Sequence, residues 1–192
     1  SSKACSEHIS LAYYKSYFRS NNIGLPTARA GNVIGGGDWS MDRLIPDIVK
    51  AWTNNKSVLI RSPNSIRPWQ HVLEPICGYL KLIQLLYSGP KKFSGSWNFG
   101  PDDNKIKSVL DTVKILQKLW SGKSSVQVQT DNSLHEANIL RLDNTKMKNQ
   151  LGIKPKMSFK EALKNTIQWY EGYYLKKNIN EITHRQTIDY IS

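Results

Sequence analysis

Between positions 25 and 52 the chain passes from an apolar, strand-like stretch, Leu25-Pro26-Thr27-Ala28-Arg29-Ala30-Gly31-Asn32-Val33, through Gly35-Gly36-Gly37, into a helix-like stretch at 44–52. A buried strand feeding a helix through a glycine loop points to an α/β architecture. In open α/β sheets, ligands gather at the carboxyl ends of strands, where this loop falls. Farther on, Ser65-Ile66-Arg67-Pro68-Trp69-Gln70-His71-Val72 places an arginine on a second strand-like stretch. A guanidinium forks onto phosphate oxygens, and the bare N–H groups of a glycine turn are neutral donors. Together the two segments are suited to gripping a diphosphate. Taken alone, the triple glycine reads as a flexible turn before it reads as a binding loop. It is not a P-loop, because no Gly-Lys-Ser/Thr follows, and it lacks the G-x-G-x-x-G spacing of a dinucleotide loop.

The remaining pattern alternates in the same way. A helix is expected over 3–20, short strands at 58–61, 67–72 and 96–99, and further strand candidates at 126–129 and 139–142. Pro75 opens a helix whose apolar residues Ile76, Tyr79, Leu80, Ile83 and Leu86 recur three or four apart. Ser108 caps a helix carrying the stripe Val109, Leu110, Val113, Leu116 and Trp120. Asp143 caps a short helix that Gly152 ends, and Ser158 with Glu161 forms a capping box. The helix behind that box is lined by Ala162, Leu163, Ile167, Tyr170 and Tyr174. The polar tail from 178 onward reads as loosely packed or packed on a partner. No internal repeat or low-complexity linker interrupts the chain.

Composition narrows the function classes. A length of 192 residues with 39% hydrophobic content supports an ordinary core, and six tryptophans with nine tyrosines argue against disorder. No apolar run reaches the ~18 residues of a membrane span, and the first residues show no signal-peptide pattern. Cys5 and Cys77 lack C-x-x-C spacing and read as free thiols of a reducing cytoplasm. A net charge of +12 raises nucleic-acid binding, but the lysines are dispersed, with Lys91-Lys92 and Lys176-Lys177 only pairs. A solvated lysine face, and a field that favours an anionic substrate, are the reading taken. The histidines His8, His71, His135 and His184 are scattered without metal-ligand spacing, and no G-x-S-x-G elbow marks a serine hydrolase.

Five segments, in order, carry a resemblance: Ser1-Ser2-Lys3-Ala4, Arg29-Ala30-Gly31-Asn32 with Gly-Gly-Gly-Asp-Trp behind it, Arg67-Pro68-Trp69-Gln70-His71-Val72, Trp97-Asn98-Phe99-Gly100-Pro101, and Leu151-Gly152-Ile153-Lys154-Pro155. Over roughly residues 1–175 the chain resembles the C-terminal half of the extended short-chain dehydrogenase/reductases, nucleotide-sugar branch. The Gly-Gly-Gly-Asp-Trp and Arg-Pro-Trp-Gln-His-Val wording is most similar to the 4,6-dehydratases that act on CDP-glucose. The resemblance implies the end of an NAD-binding Rossmann domain at 1–34. It further implies a mainly substrate-binding domain at 35–177, with segments returning to the Rossmann sheet, and a tail at 178–192.

It also implies roles. Lys3 matches the lysine of the family's Tyr-x-x-x-Lys signature, which bonds the nicotinamide ribose and lowers the tyrosine pKa. The tyrosine would stand at −1, before Ser1, and the glycine-rich NAD loop farther upstream. Ala30 and Val33 match the nicotinamide side. Asn32 and Arg67 match groups that hold the sugar diphosphate, and Asp38, Arg43, Leu44, Ile60 and Arg61 fall where relatives enclose base and ribose. Ser133 replaces a second phosphate-binding arginine of many relatives, and His135 or Glu136 is the candidate in that loop. Without the resemblance, Lys3 is a helix-surface lysine, Asn32 a turn cap and Arg43 a helix-surface charge.

The implied chemistry takes a hydride from C4 of the sugar to NAD, loses water across C5 and C6, and returns the hydride to C6. Its products feed deoxysugars into bacterial surface polysaccharide. The implied partners are a CDP-sugar, the N-terminal half of the same enzyme, and further copies in a homodimer or larger homo-oligomer, with no nucleic acid and no membrane. The 192-residue piece is expected to be inactive by itself and poorly soluble. The alternatives are an epimerase or dehydratase for a UDP- or dTDP-sugar, and a non-catalytic nucleotide-sugar or nucleic-acid binding module.

Overall fold

The computed structural model describes residues 2–102, 107–129 and 139–192. Helix α1 (Ser2–Tyr13) runs into a π-helical turn (Tyr14–Phe18), then come β1 (Pro26–Ala30), β2 (Asn32–Ile34), α2 (Leu44–Thr53) and β3 (Ser57–Ile60). Next are β4 (Ile66–Arg67), β5 (Trp69–His71), α3 (Leu73–Ser88), α4 (Pro90–Phe93), β6 (Gly95–Phe99) and β7 (Lys107–Ser108). The chain ends with α5 (Val109–Leu119), β8 (Ser125–Val128), α6 (Thr145–Leu151), α7 (Phe159–Tyr174) and α8 (Ile179–Ile191). This is the α/β alternation expected, with parallel pairing in three of the four strand pairs: β1 with β6, β2 with β5 and β3 with β8. Strands β4 and β7 pair antiparallel.

The strand expected at 25–33 is two strands with different partners. The break is Gly31, where a Cβ would lie 2.5 Å from the carbonyl oxygen of Pro68. The strand expected at 67–72 is likewise cut at Pro68, which has no N–H to give to a ladder. The two interruptions therefore sit against each other. Ala28 and Arg29 of β1 are exposed rather than buried, and among the described residues β1 pairs with β6 alone, which agrees with the open edge implied for this part of the enzyme. At 139–142 the strand expected shrinks to a bridge between Ile139 and Ile66.

Two apolar clusters form. The larger gathers Ile34, Ile48, Val49, Trp52, Ile60, Leu116, Leu163 and Tyr170 from α2, β2, β3, α5 and α7. The smaller gathers Leu82, Phe93, Trp97, Phe99, Met147 and Leu151 from α3, α4, β6 and α6. Local chemistry sets several boundaries. Ser108 Oγ accepts from the Asp111 N–H, and Ser158 with Glu161 makes the full capping box. The Asp143 carboxylate accepts from the Thr145 N–H at 2.9 Å, one residue ahead of the actual N-cap Asn144, and Gly152 ends that helix at φ 67°.

Helix α3 corrects the expected apolar stripe. Ile76, Leu80 and Ile83 are 44%, 62% and 60% exposed, while Pro75, Gly78 and Leu82 face the core. Gly78 decides the matter, because its missing side chain lets the helix rest on the Phe99 ring. Tyr174, expected among the core residues of α7, is 38% exposed. The tail is corrected too. Asn178 caps α8, which docks on α7 through the Trp169 Nε1 bond to Thr183 and on α3 through the Tyr190 hydroxyl bond to Glu74, both 2.9 Å. No helix among the described residues is long and apolar enough to cross a membrane.

Helix α1 buries none of its side chains. Polar contacts fasten it instead. Glu7 accepts from Thr27 Oγ1 at 2.7 Å and Ser96 Oγ at 2.9 Å, and lies 3.5 Å from Arg29 Nη1. The Thr27 bond, opposed by burial and aided by Ser96 and Arg29, holds the Glu7 carboxyl below its ordinary value of 4.5. A folded-state pKa below the unfolded one stabilises the fold above about pH 4.5, and that contribution is lost as pH falls through the folded value.

Two measurements check these contacts. Acidification from about pH 7 to about pH 3.5 should lower the urea midpoint less in Glu7→Gln than in the parent protein, and equal losses would remove Glu7 from the account. Gly78→Ala should lower stability by about 1–3 kcal/mol in urea unfolding, because its Cβ would stand 2.5 Å from the buried Phe99 ring. An unchanged midpoint would mean that the ring yields.

Candidate active site

The carboxyl end of β2 opens into a cleft of about 730 Å³, within the usual range for small-molecule sites. Asn32, Val33, Ile34 and Gly35 form its floor. The backbone runs close at Gly35, where a Cβ would lie 2.8 Å from Val72 Cγ1. One wall comes from the loop before α2 and its first turn, with Asp38, Asp42, Arg43, Leu44 and Asp47. The facing wall comes from Ile60, Arg61 and Ser62 at the end of β3, and from Ser65, Arg67 and Trp69. Lys3 enters from α1, beside Ala30.

One cleft thus brings together Lys3, Ala30, Asn32, Val33, Asp38, Arg43, Leu44, Ile60, Arg61 and Arg67. His135 and Glu136 lie outside the described residues. Ser65 and Trp69, from the Arg67 segment, also line it, as do Asp42, Asp47, Leu140, Leu142 and Tyr170, whose sequence context does not single them out as site residues. Tyr170 reads in sequence as one more apolar residue of a helix stripe, and nothing local marks it as part of the cleft wall.

Arg67 is 8% exposed, and its Nη1 donates to the Ile66 carbonyl at 2.9 Å, so the guanidinium is held from its own strand. Asp38 pairs with Arg43 at 2.9 Å and accepts from the Ser40 N–H at 3.0 Å. Burial pushes against ionisation there, but the Ser40 bonds and the Arg43 guanidinium win, leaving the carboxyl below its usual value. Burial and the neighbouring Asp42 push Asp47 the other way. Besides the Asp38–Arg43 pair, Lys3, Arg61 and Arg67 also line the cleft, and cations there suit a polyanion. Among the described residues no group of three or more His, Cys, Asp or Glu side chains could hold a metal ion. Cys5 and Cys77 are free. His71 is buried and its pKa is pulled down to about 4 by burial, so the imidazole is neutral.

No family model matches the sequence. The chain is 43% identical over 196 residues to CDP-glucose 4,6-dehydratase of Salmonella typhimurium, a match covering 100% of this chain and 55% of that protein. Solved structures that share the fold include two of this kind. The dTDP-glucose 4,6-dehydratase of Bacillus anthracis, in complex with NAD, superposes at a TM-score of 0.70 with 24% identity over 92% of this chain and 52% of its own. The UDP-glucose 4-epimerase of Thermotoga maritima, with UDP-glucose, reaches 0.74 with 18% identity over 90% of this chain and 52% of its own. The chain thus spans about half the length of the relatives it matches. Along its whole length it is similar in sequence to CDP-glucose 4,6-dehydratase, and it shares its fold with the solved dTDP-glucose 4,6-dehydratase and UDP-glucose 4-epimerase.

Proposed function

We propose that this chain is the substrate-side part of an NAD-dependent nucleotide-sugar 4,6-dehydratase that converts CDP-glucose to CDP-4-keto-6-deoxyglucose with loss of water. The observation that carries this reading is the meeting of Lys3, Asn32 and Arg67 in one cleft of a chain 43% identical throughout to such an enzyme. Arg67 and the Asn32 amide are the groups proposed to hold the diphosphate. A buried guanidinium keeps its full attraction for phosphate because little water screens it. The Asp38–Arg43 pair, Leu44, Ile60 and Arg61 are proposed to enclose the nucleoside, with the apolar members excluding water.

The donor set also suits NAD. Lys3 offers an ammonium beside the apolar Ala30 and Val33, a combination that fits a ribose hydroxyl next to a flat apolar ring. When bound, NAD supplies the hydride acceptor and donor of the reaction. Lys3 would hold the ribose and, by its positive charge, lower the pKa of a neighbouring phenol.

The two apolar clusters suggest the division of labour. The smaller, around β6 and α3, is assigned to the dinucleotide-binding side, which holds residues 1–34 and to which these later segments return. The larger, around α2, α5 and α7, belongs with the substrate side over 35–177. Docked α8 extends that side rather than forming a separate tail. The exposed Tyr13 and Tyr17, with ring centroids 5.5 Å apart on the outer face of the first helix, support assembly into a homodimer or larger oligomer. The enzyme is placed in the cytoplasm, feeding deoxysugar synthesis for surface polysaccharides such as lipopolysaccharide O-antigen.

Two experiments on the full-length gene product test the reading. CDP-glucose should be turned over with a far higher kcat/KM than dTDP-glucose, and comparable values would end the CDP assignment while sparing the fold. Arg67→Ala should weaken substrate binding by about 1.5–3 kcal/mol, as for a hydrogen bond to a charged group, with NAD affinity unchanged. An unchanged KM, or equal damage to NAD binding, would make Arg67 structural.

A further inference from the structure

Tyr170 stands in the cleft wall with no part in the chemistry above. Its side chain is 0% exposed in the middle of α7, and its hydroxyl donates to the carbonyl oxygen of Asp38 at 2.6 Å. The segment around Asp38 has no helix or strand of its own and is seated on α7. Trp39 packs edge-on against Tyr170 at 5.4 Å between centroids and against Tyr173 at 4.8 Å. Gly36 lies so close beneath the Trp169 indole that any Cβ would collide with it. Trp169 is in turn held from behind by Thr183 of α8.

From this seat Asp38 turns its carboxylate toward Arg43, whose side chain is otherwise 63% exposed. A long, solvated arginine samples many rotamers, so its position at the cleft depends on what its partner carboxylate fixes. The order of dependence is Tyr170 hydroxyl to Asp38 backbone, then Asp38 carboxylate to Arg43 guanidinium. Burial, and the nearby Asp38 charge, push the Tyr170 pKa up to about 12, so the hydroxyl remains a donor at any working pH.

We propose that Tyr170 is a positioning residue for the nucleoside end of the cleft, acting through Asp38 to hold the Arg43 guanidinium where the nucleoside of the substrate binds. This rests on the nucleotide-sugar reading given above. The occupant it assists is a nucleoside diphosphate, whatever sugar is attached. Tyr170 touches Asp38 and the aromatic cluster rather than the reacting carbons, so its loss should weaken binding and leave turnover alone.

The test uses Tyr170→Phe in the full-length gene product, which keeps the ring and removes the hydroxyl. CDP binding by calorimetry should weaken roughly 3- to 10-fold, the range of one neutral hydrogen bond. KM for CDP-glucose should rise by the same factor, with kcat within about twofold. In an Arg43→Ala background the same change should have little further effect. Unchanged CDP affinity with a lowered Tm, or failure to fold, would make the hydroxyl merely structural and overturn the proposal. So would a loss confined to kcat, or a full effect persisting without Arg43. A parent protein that binds no CDP would instead overturn the nucleotide-sugar reading and this inference with it, an outcome distinct from a variant that matches its parent.

Discussion

The contact on which the site depends is the meeting of Gly31 with Pro68. Each breaks its own strand, and each break needs the other. Pro68 cannot donate to a ladder, and Gly31 has no Cβ to fend off the Pro68 carbonyl. Past this point the first strand leaves β6 for β5, so that Asn32 stands opposite Trp69 rather than continuing the β1 register. The change of partner sets Asn32 and Val33 in the cleft lining, which Arg67 joins from β4, one residue before Pro68. A side chain at position 31 would push the two strands apart where the proposed diphosphate groups must converge. The resemblance through Arg-Ala-Gly-Asn and Arg-Pro-Trp therefore has a physical counterpart, since the two motifs meet across this junction.

What could be read from the sequence was local chemistry. The caps at Ser108 and Ser158 rest on residues three apart, and Gly152 takes the left-handed turn that ends α6, so their outcomes did not depend on the rest of the chain. The face of α3 was not legible, because apolar residues lie on more than one side of it. Contact with Phe99 selected the side bearing Gly78, the residue that hydropathy ignores. The 178–192 segment looked loose because its composition is polar. Its attachment combines Ile182 packed on Gly172 with hydrogen bonds from Trp169 to Thr183 and from Tyr190 to Glu74, the last spanning 116 positions. Tyr170 escaped notice for the same reason, since its partner Asp38 lies 132 positions away.

Charge shows a similar contrast between the whole chain and the site. A net +12 creates a diffuse positive field, useful for drawing in an anion but unable to orient it. Within the cleft, cations and carboxylates are interleaved, and their burial differs. Arg67 is almost wholly covered, whereas Arg43 projects from the rim and relies on Asp38. Screening by water and salt falls more heavily on the rim than on the buried guanidinium. The buried wall at Arg67 can therefore supply strength, while the rim at Arg43 supplies geometry.

The two sides of the cleft are also held by different forces. Arg43 is supported through Asp38 by the packed rings of Trp39, Trp169, Tyr170 and Tyr173, of which Tyr170 belongs to the larger core and Trp169 packs against it. Lys3 is carried by α1, which buries no side chain and is held at Glu7 by hydroxyl and guanidinium contacts that water can replace one at a time. Lys3 and Glu7 lie four residues apart on one face of that helix, so whatever steadies Glu7 also aims Lys3. Regions with few buried apolar contacts open at lower free energy than a core. The Asp38–Arg43 wall is thus backed by packed rings, while among the described residues Lys3 is carried by a helix fastened through polar contacts at Glu7.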